Sequence, residues 1–165
     1  MNATRPILGI DPGLVNTGFA LVDAVGGALS VMDTGVIETR ANVALEERLA
    51  RIYDGVTALL DKHAPRVLVL EDLYTEYKFP RAALAMAHAR GVICLAAQQR
   101  GVALLALSPA EVKRAVTANG AASKEQVQHC VQRLFDLAAL PRPSHVADAL
   151  ALAFTGHLRT GGRFG

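Results

Sequence analysis

The chain has 165 residues, of which 52% are hydrophobic and 19% charged, a composition typical of a compact globular chain that excludes a disordered one. The formal net charge of +2 is too small to demand a polyanionic partner, so a nucleic-acid function has to rest on where the basic residues lie. No signal-peptide segment and no apolar run of roughly 18 residues is present, so we expect a cytoplasmic protein with no membrane contact. We expect one domain over residues 1–158 and a flexible tail at 159–165.

The first three predicted elements are strands joined by short turns. Residues 7–10 are apolar and end at Asp11-Pro12-Gly13, which is typical of a buried strand followed by a turn. Residues 17–23 and 29–38 are two further strand candidates, and Gly26-Gly27 supplies a hairpin turn between them. Three strands with such short connections predict an antiparallel meander.

Helices and strands then alternate. Apolar residues at helical spacing from Leu45 to Leu60 predict an amphipathic helix, which Pro65 ends. Residues 66–71 form a continuous apolar run that is typical of a strand covered on both faces. An alanine-rich helix is predicted over residues 79–100 and another buried strand over residues 103–107.

Three more helices complete the predicted order. The first spans residues 108–116, and the second begins at Ser123, which forms a capping-box signature with Gln126, and runs to about residue 137. Ser144 is expected to cap the last helix. The resulting fold class is α/β: a five-stranded mixed sheet, with three antiparallel strands followed by two parallel ones, flanked by helices.

Two acidic residues follow strands that we expect to be neighbours. Right-handed crossovers place the strands at 7–10 and 66–71 side by side and parallel, so Asp11 and Glu71 should end at the same edge of the sheet. Taken singly, Asp11 is equally consistent with a turn-forming residue and Glu71 with a solvated strand end. Together they occupy the usual position of sites in open sheets.

His145 and Asp148 share one face of the last predicted helix, because they are three residues apart. Alone they would be read as the polar first turn of a helix. If that helix packs beside the two strand ends, three carboxylates and one imidazole converge, and such a group calls for a divalent cation. Its oxygen-rich chemistry favours Mg²⁺ or Mn²⁺ over structural zinc, and two such ions would support phosphodiester hydrolysis by water.

Five segments together resemble the RuvC-type Holliday-junction resolvases, which have a ribonuclease-H-like fold. They occur in order over nearly the whole chain: ILGIDPGLVNTGFALV, VLVLED, AHARG, SKEQVQHCV and HVADALALA. The resemblance implies that Asp11, Glu71 and Asp148 are metal-binding carboxylates of the catalytic site. His145 stands where many members of the family have Asp, so it is either a fourth ligand or a base.

The resemblance also implies the activity and the partners. Members of this family are structure-selective endonucleases of recombination and repair, which cut opposed strands of a four-way junction symmetrically with two Mg²⁺ or Mn²⁺ ions and leave 5′-phosphate and 3′-hydroxyl ends. They work as homodimers, together with the RuvA–RuvB branch-migration complex. Small residues in the helix at 79–100 suit either a dimer interface or ordinary packing against the sheet.

Candidate DNA-binding residues lie in two regions. In the first, Tyr74 would stack on a base opened at the junction, while Lys78 and Arg81 would bind phosphates. In the second, the resemblance places Lys113 and Lys124 near the scissile phosphate as catalytic residues. Weaker candidates for DNA contacts are Arg114 and Arg90.

Two other functions remain open from the sequence. The GIDPG turn also occurs in sugar kinases and other actin-like ATPases, although such folds need two domains to close over a nucleotide. A junction-binding protein without catalytic activity is the second alternative, and in it the acidic residues would have no chemical role.

Overall fold

The computed structural model describes residues 5–25, 28–73 and 80–161. Within these residues the strands are β1 (Ile7–Asp11), β2 (Asn16–Val25), β3 (Ala28–Glu38), β4 (Val67–Glu71) and β5 (Ala103–Leu107). The helices are α1 (Leu45–His63), α2 (Pro80–Gln99), α3 (Pro109–Thr117), α4 (Lys124–Leu134) and α5 (Ser144–Thr160). No helix in the described part of the chain is long and apolar enough to cross a membrane.

The strands form one mixed sheet in the order β3-β2-β1-β4-β5. The pairs β3–β2 and β2–β1 are antiparallel, whereas β1–β4 and β4–β5 are parallel. Ile10 is paired with Leu70, so Asp11 and Glu71 end neighbouring strands at the same edge. The predicted fold class, the antiparallel meander and the parallel pairing of β1 with β4 are confirmed.

Alternate residues of the central strands pack into two cores on opposite faces of the sheet. In β1, Leu8 and Ile10 face the core formed with α1 and α2, while Ile7 belongs to the core formed with α3, α4 and α5. In β4, Leu68 and Leu70 face the first core and Val69 the second. Because successive side chains of a strand point to opposite faces, this double coverage explains the continuous apolar runs.

The predicted start of α4 is confirmed, whereas the end of α4 and the cap of α5 differ from the prediction. Ser123 and Gln126 form the predicted capping box of α4, but that helix ends at Leu134, three residues early, because Asp136 adopts a positive φ of 49°. The expectation that Ser144 caps α5 is wrong. Pro143 occupies the cap position in an extended conformation, so Ser144 is the first helical residue and its side chain makes no capping bond.

Two predicted features lie at the limits of the described residues. The hairpin glycines at 26–27 are outside them, although β2 and β3 pair as far as Val25 and Ala28. α5 runs to Thr160, which is buried, and residues 162–165 are outside the described part. The domain limit at residue 158 stays a prediction.

Candidate active site

α5 lies close enough to the sheet to bring its first turns beside the ends of β1 and β4. Two strand glycines permit this approach: a Cβ on Gly9 would lie 2.2 Å from the carbonyl oxygen of Ala149, and one on Gly18 would lie 2.3 Å from that of His145. Any larger residue would push the helix away from the strands. The sequence signal for this contact is the presence of glycine inside two strands, which often marks a close approach of another backbone.

The helix packing places His145 and Asp148 beside Asp11. Nδ1 of His145 lies 2.8 Å from Oδ2 of Asp11. One potential ligand atom from each of the three residues lies within 4.8 Å of the others, and each residue is partly buried. Residues 134 positions apart in the chain therefore form one cluster.

A cavity with a volume of about 250 Å³ lies beside this cluster. It is lined by Asp11 and Asp148, and also by Glu71. Burial raises the pKa of Glu71 to about 7, and the negative charges of Asp11 and Asp148 add to this effect. The lysines at 113 and 124, which also line the cavity, oppose it. A carboxylic acid with this pKa is half protonated near neutral pH, chiefly because it is buried and also because two other carboxylates share the cavity.

The pKa values of Asp148 and His145 are raised as well. The pKa of Asp148 is raised, first by burial and then by the charge of Asp11, despite an ion pair in which Nζ of Lys124 lies 3.0 Å from Oδ2 of Asp148. The pKa of His145 is also raised, mainly by its hydrogen bond to Asp11. The protein thus compensates its clustered carboxylates with a proton, a lysine and an imidazole.

This donor set fits Mg²⁺ or Mn²⁺. Three carboxylates and one imidazole are oxygen-rich, as these ions require, and no cysteine faces the cavity among the described residues. A cation would also favour the charged forms of Glu71 and Asp148, whose pKa values are raised first by burial and then by neighbouring carboxylates. Asp11, His145 and Asp148 are therefore brought within range of a common ion, and Glu71 lines the cavity beside Asp11 and Asp148.

The predicted DNA-binding residues have different positions. Lys113 is partly buried and Lys124 exposed, and both line the cavity. Arg114 is exposed and runs beside Gly120 in the loop between α3 and α4. Arg81 is exposed at the start of α2, whereas Tyr74 and Lys78 lie outside the described residues.

Arg90 has contacts that its sequence position did not indicate. Instead of extending into solvent, its guanidinium turns toward the end of β4, where it contacts the backbone of Glu71 and the side chain of Asp72. No local pattern in the sequence identifies such a contact, because it joins a helix to a strand end 19 residues away.

Comparisons with known proteins agree with this geometry. The family model described as crossover junction endodeoxyribonuclease RuvC matches residues 7–157. A crossover junction endodeoxyribonuclease RuvC from Rhodopirellula baltica is 44% identical over 151 residues, which cover 92% of this chain and 85% of that protein. T. thermophilus RuvC, solved in complex with a Holliday junction substrate, superposes with a TM-score of 0.87 at 32% identity, covering 96% of this chain and 97% of that one.

A more distant structure has the same fold. The yeast mitochondrial Holliday junction resolvase is 14% identical, with a TM-score of 0.64 and coverage of 98% of this chain and 84% of that one. The ribonuclease-H-like architecture is thus shared well beyond the range in which the sequences resemble each other.

Proposed function

Since the chain belongs to the RuvC family of crossover junction endodeoxyribonucleases, we propose that it resolves four-way DNA junctions of homologous recombination and repair by symmetric hydrolysis of two phosphodiesters. The observation that carries this proposal is the cluster of Asp11, His145 and Asp148 at one edge of the sheet, with Glu71 lining the cavity beside Asp11 and Asp148. A binding protein without catalysis does not require this unbalanced group of acids.

We infer that these four residues hold two Mg²⁺ or Mn²⁺ ions. When bound, such ions lower the pKa of a water molecule and neutralise negative charge on the scissile phosphate and its leaving oxygen. The carboxylates of Asp11, Glu71 and Asp148 supply charged oxygen ligands, and His145 supplies a neutral nitrogen once its hydrogen bond to Asp11 is exchanged. Attack by water and departure of the 3′ oxygen leave 5′-phosphate and 3′-hydroxyl ends.

Lys113 and Lys124 are the cations nearest to this chemistry. Both line the cavity of the acidic residues, where they would attract a phosphate and stabilise charge that develops on it. The Lys124 side chain is 58% exposed, so it can leave Asp148 for a DNA phosphate. We further propose base stacking by Tyr74, and phosphate contacts by Lys78, Arg81 and Arg114.

A homodimer is proposed from the outer face of α2. Ala89 and Ala96 are buried in the core, so these two small residues pack within the subunit. The opposite face exposes Leu84 by 62% and Leu95 by 49%, with open space at Gly91 between them. Two copies joined by this face would present two sites to a twofold junction.

The dimer is tested by sedimentation. Leu84→Glu should yield monomers that bind a junction weakly, because it buries a charge at the proposed interface. Leu158→Glu is the matched control, since that residue is 54% exposed on α5. Dimers that persist in Leu84→Glu would exclude this face as the dimer interface.

The cytoplasmic location and the RuvA–RuvB partner rest on the family and stay predictions.

The activity is tested with three substrates: a four-way junction, a linear duplex and an RNA–DNA hybrid, each with Mg²⁺, Mn²⁺ or a chelator. We expect cleavage of the junction with either metal, into nicked duplexes that DNA ligase seals. Sealing reports both the symmetry of the cuts and the 5′-phosphate ends. Junction binding without cleavage in either metal would identify a scaffold and overturn the proposal.

A further inference from the structure

Arg90 joins α2 to the end of β4. Its Nε donates a hydrogen bond to the main-chain carbonyl of Glu71 at 3.4 Å, and its Nη2 lies 3.6 Å from Oδ1 of Asp72. The side chain of Arg90 is 20% exposed, whereas that of Asp72 is 57% exposed. A largely buried guanidinium is thus held against the backbone of a residue that we place in the metal site.

The chain at this point is fixed from both sides. On the β5 side, the amide of Asp72 donates to the carbonyl of Leu107 at 2.7 Å. The amide of Leu73 donates to Oδ1 of Asp72 at 2.9 Å, so the carboxylate that faces Arg90 also orders the residue after it. Arg90 supplies the contact from the α2 side.

The end of β4 needs such a restraint because of charge. Asp11, Glu71 and Asp148 line one cavity, so three like charges face each other there and repel. Repulsion of this kind is relieved if the strand end moves away from the cluster, and a metal site loses affinity when one ligand is displaced. Arg90 acts against that movement through the backbone, without approaching the ligand atoms by any contact in the described residues.

We propose that Arg90 is a positioning residue of the metal site: it holds the main chain at Glu71 and thereby keeps that carboxylate beside Asp11 and Asp148. The proposal rests on the function inferred above, since it assigns a role within the same site. It differs from a DNA-binding role for Arg90, which would require the guanidinium to face the substrate.

The test measures Mn²⁺ binding to the DNA-free protein by electron paramagnetic resonance. Arg90→Met should raise the half-saturating Mn²⁺ concentration about tenfold, as expected when a group that orients a ligand is removed. Arg90→Lys should raise it less, because an ammonium keeps the charge but not the two-pronged geometry. Cleavage by Arg90→Met should recover as Mn²⁺ is raised, which a general loss of folding would not allow.

The matched control is Arg100→Met. Arg100 follows the same helix and forms an ion pair with Asp61 at 3.2 Å, but it contacts no residue of the site. Its variant should bind Mn²⁺ as the unmodified protein does. Thermal melting of each variant shows whether it folds, and Arg90→Lys decides the question if Arg90→Met does not.

Two results would overturn the proposal. One is unchanged Mn²⁺ binding by both Arg90 variants. The other result combines two measurements. If the single Arg90→Met variant binds Mn²⁺ normally, but adding Arg90→Met to Asp11→Asn abolishes junction binding in the absence of metal, then Arg90 is a DNA contact. Failure of the proposed function is seen separately, as absence of junction cleavage by the unmodified protein, and leaves the Mn²⁺ titrations interpretable.

Discussion

Two clusters in this molecule combine aspartate, histidine and lysine, yet only one has the properties of a metal site. In the first, His145 contacts Asp11 at 2.8 Å and Lys124 contacts Asp148 at 3.0 Å. In the second, between β3 and α1, Asp33 contacts His63 at 3.2 Å and Lys62 at 3.3 Å. The residue types and distances are similar.

The clusters differ in their balance of charge. Asp33 is a single carboxylate facing two basic side chains, so the second cluster carries no excess of negative charge. The first has three carboxylates, because two strand ends and one helix turn meet there. An excess of partly buried acids, rather than the presence of an Asp–His pair, therefore distinguishes a site that requires a cation. Matched substitutions in the two clusters test this difference.

The largest effect is expected from Asp11→Asn. It removes one charged ligand and should lower junction cleavage by about 1,000-fold or more, measured as single-turnover rate with Mg²⁺. Junction binding in a chelator, measured by gel shift, should be retained. Asp33→Asn is the control and should cleave normally. Normal cleavage by Asp11→Asn would show that the assignment of the site is wrong.

Lys124→Met should lower the cleavage rate by about 10- to 100-fold, because a cation near the scissile phosphate acts on charge that develops during the reaction. Lys62→Met should change neither cleavage nor stability by much, since its exposed ion pair contributes at most about 1 kcal/mol. The measurement is the single-turnover rate at saturating protein. Equal effects of Lys124→Met and Lys62→Met on the cleavage rate would show that Lys124 has no role in the active site.

Glu71→Gln should stabilise the metal-free protein at high pH. The pKa of Glu71 is raised from 4.5 to about 7 in the folded state, so its contribution to stability is present below pH 4.5 and is lost as the pH rises through 7. With allowance for partial exposure, the loss is about 2 kcal/mol, or roughly 4–8 °C in Tm. Thermal melts in a chelator between pH 5 and 8 should show a smaller pH dependence for Glu71→Gln, and parallel curves would contradict the raised pKa of Glu71.

The smallest effect concerns the choice of metal. An imidazole ligand should make Mn²⁺ at least as effective as Mg²⁺, and His145→Asp should shift the ratio of the two cleavage rates toward Mg²⁺ by about threefold to tenfold. His63→Gln, in the second cluster, should leave the ratio unchanged. Identical metal profiles for His145→Asp and the unmodified protein would count against direct ligation by His145.

Much of the fold was predictable because its signals are local. An apolar run followed by Asp11-Pro12 marks a buried strand and its end, and Ser123 with Gln126 marks the start of a helix, whatever the rest of the chain does. The prediction that Ser144 caps α5 was wrong because residue type alone does not determine which residue takes the cap position. A serine before an apolar helix is a good capping residue, but the conformation at Pro143 decided which residue took the cap position.

The sequence by itself determined which residues were candidates for the site: two acids at the ends of apolar strands, and a histidine and an acid on one helix face. The tertiary structure alone decided how near these groups lie and how they affect each other. Close packing of α5 on Gly9 and Gly18, the raised pKa of Glu71 and the contact of Arg90 with β4 all depend on distances and burial. Such quantities arise between segments far apart in the chain, so a local pattern such as a glycine inside a strand can mark a close approach without giving the partner or the distance.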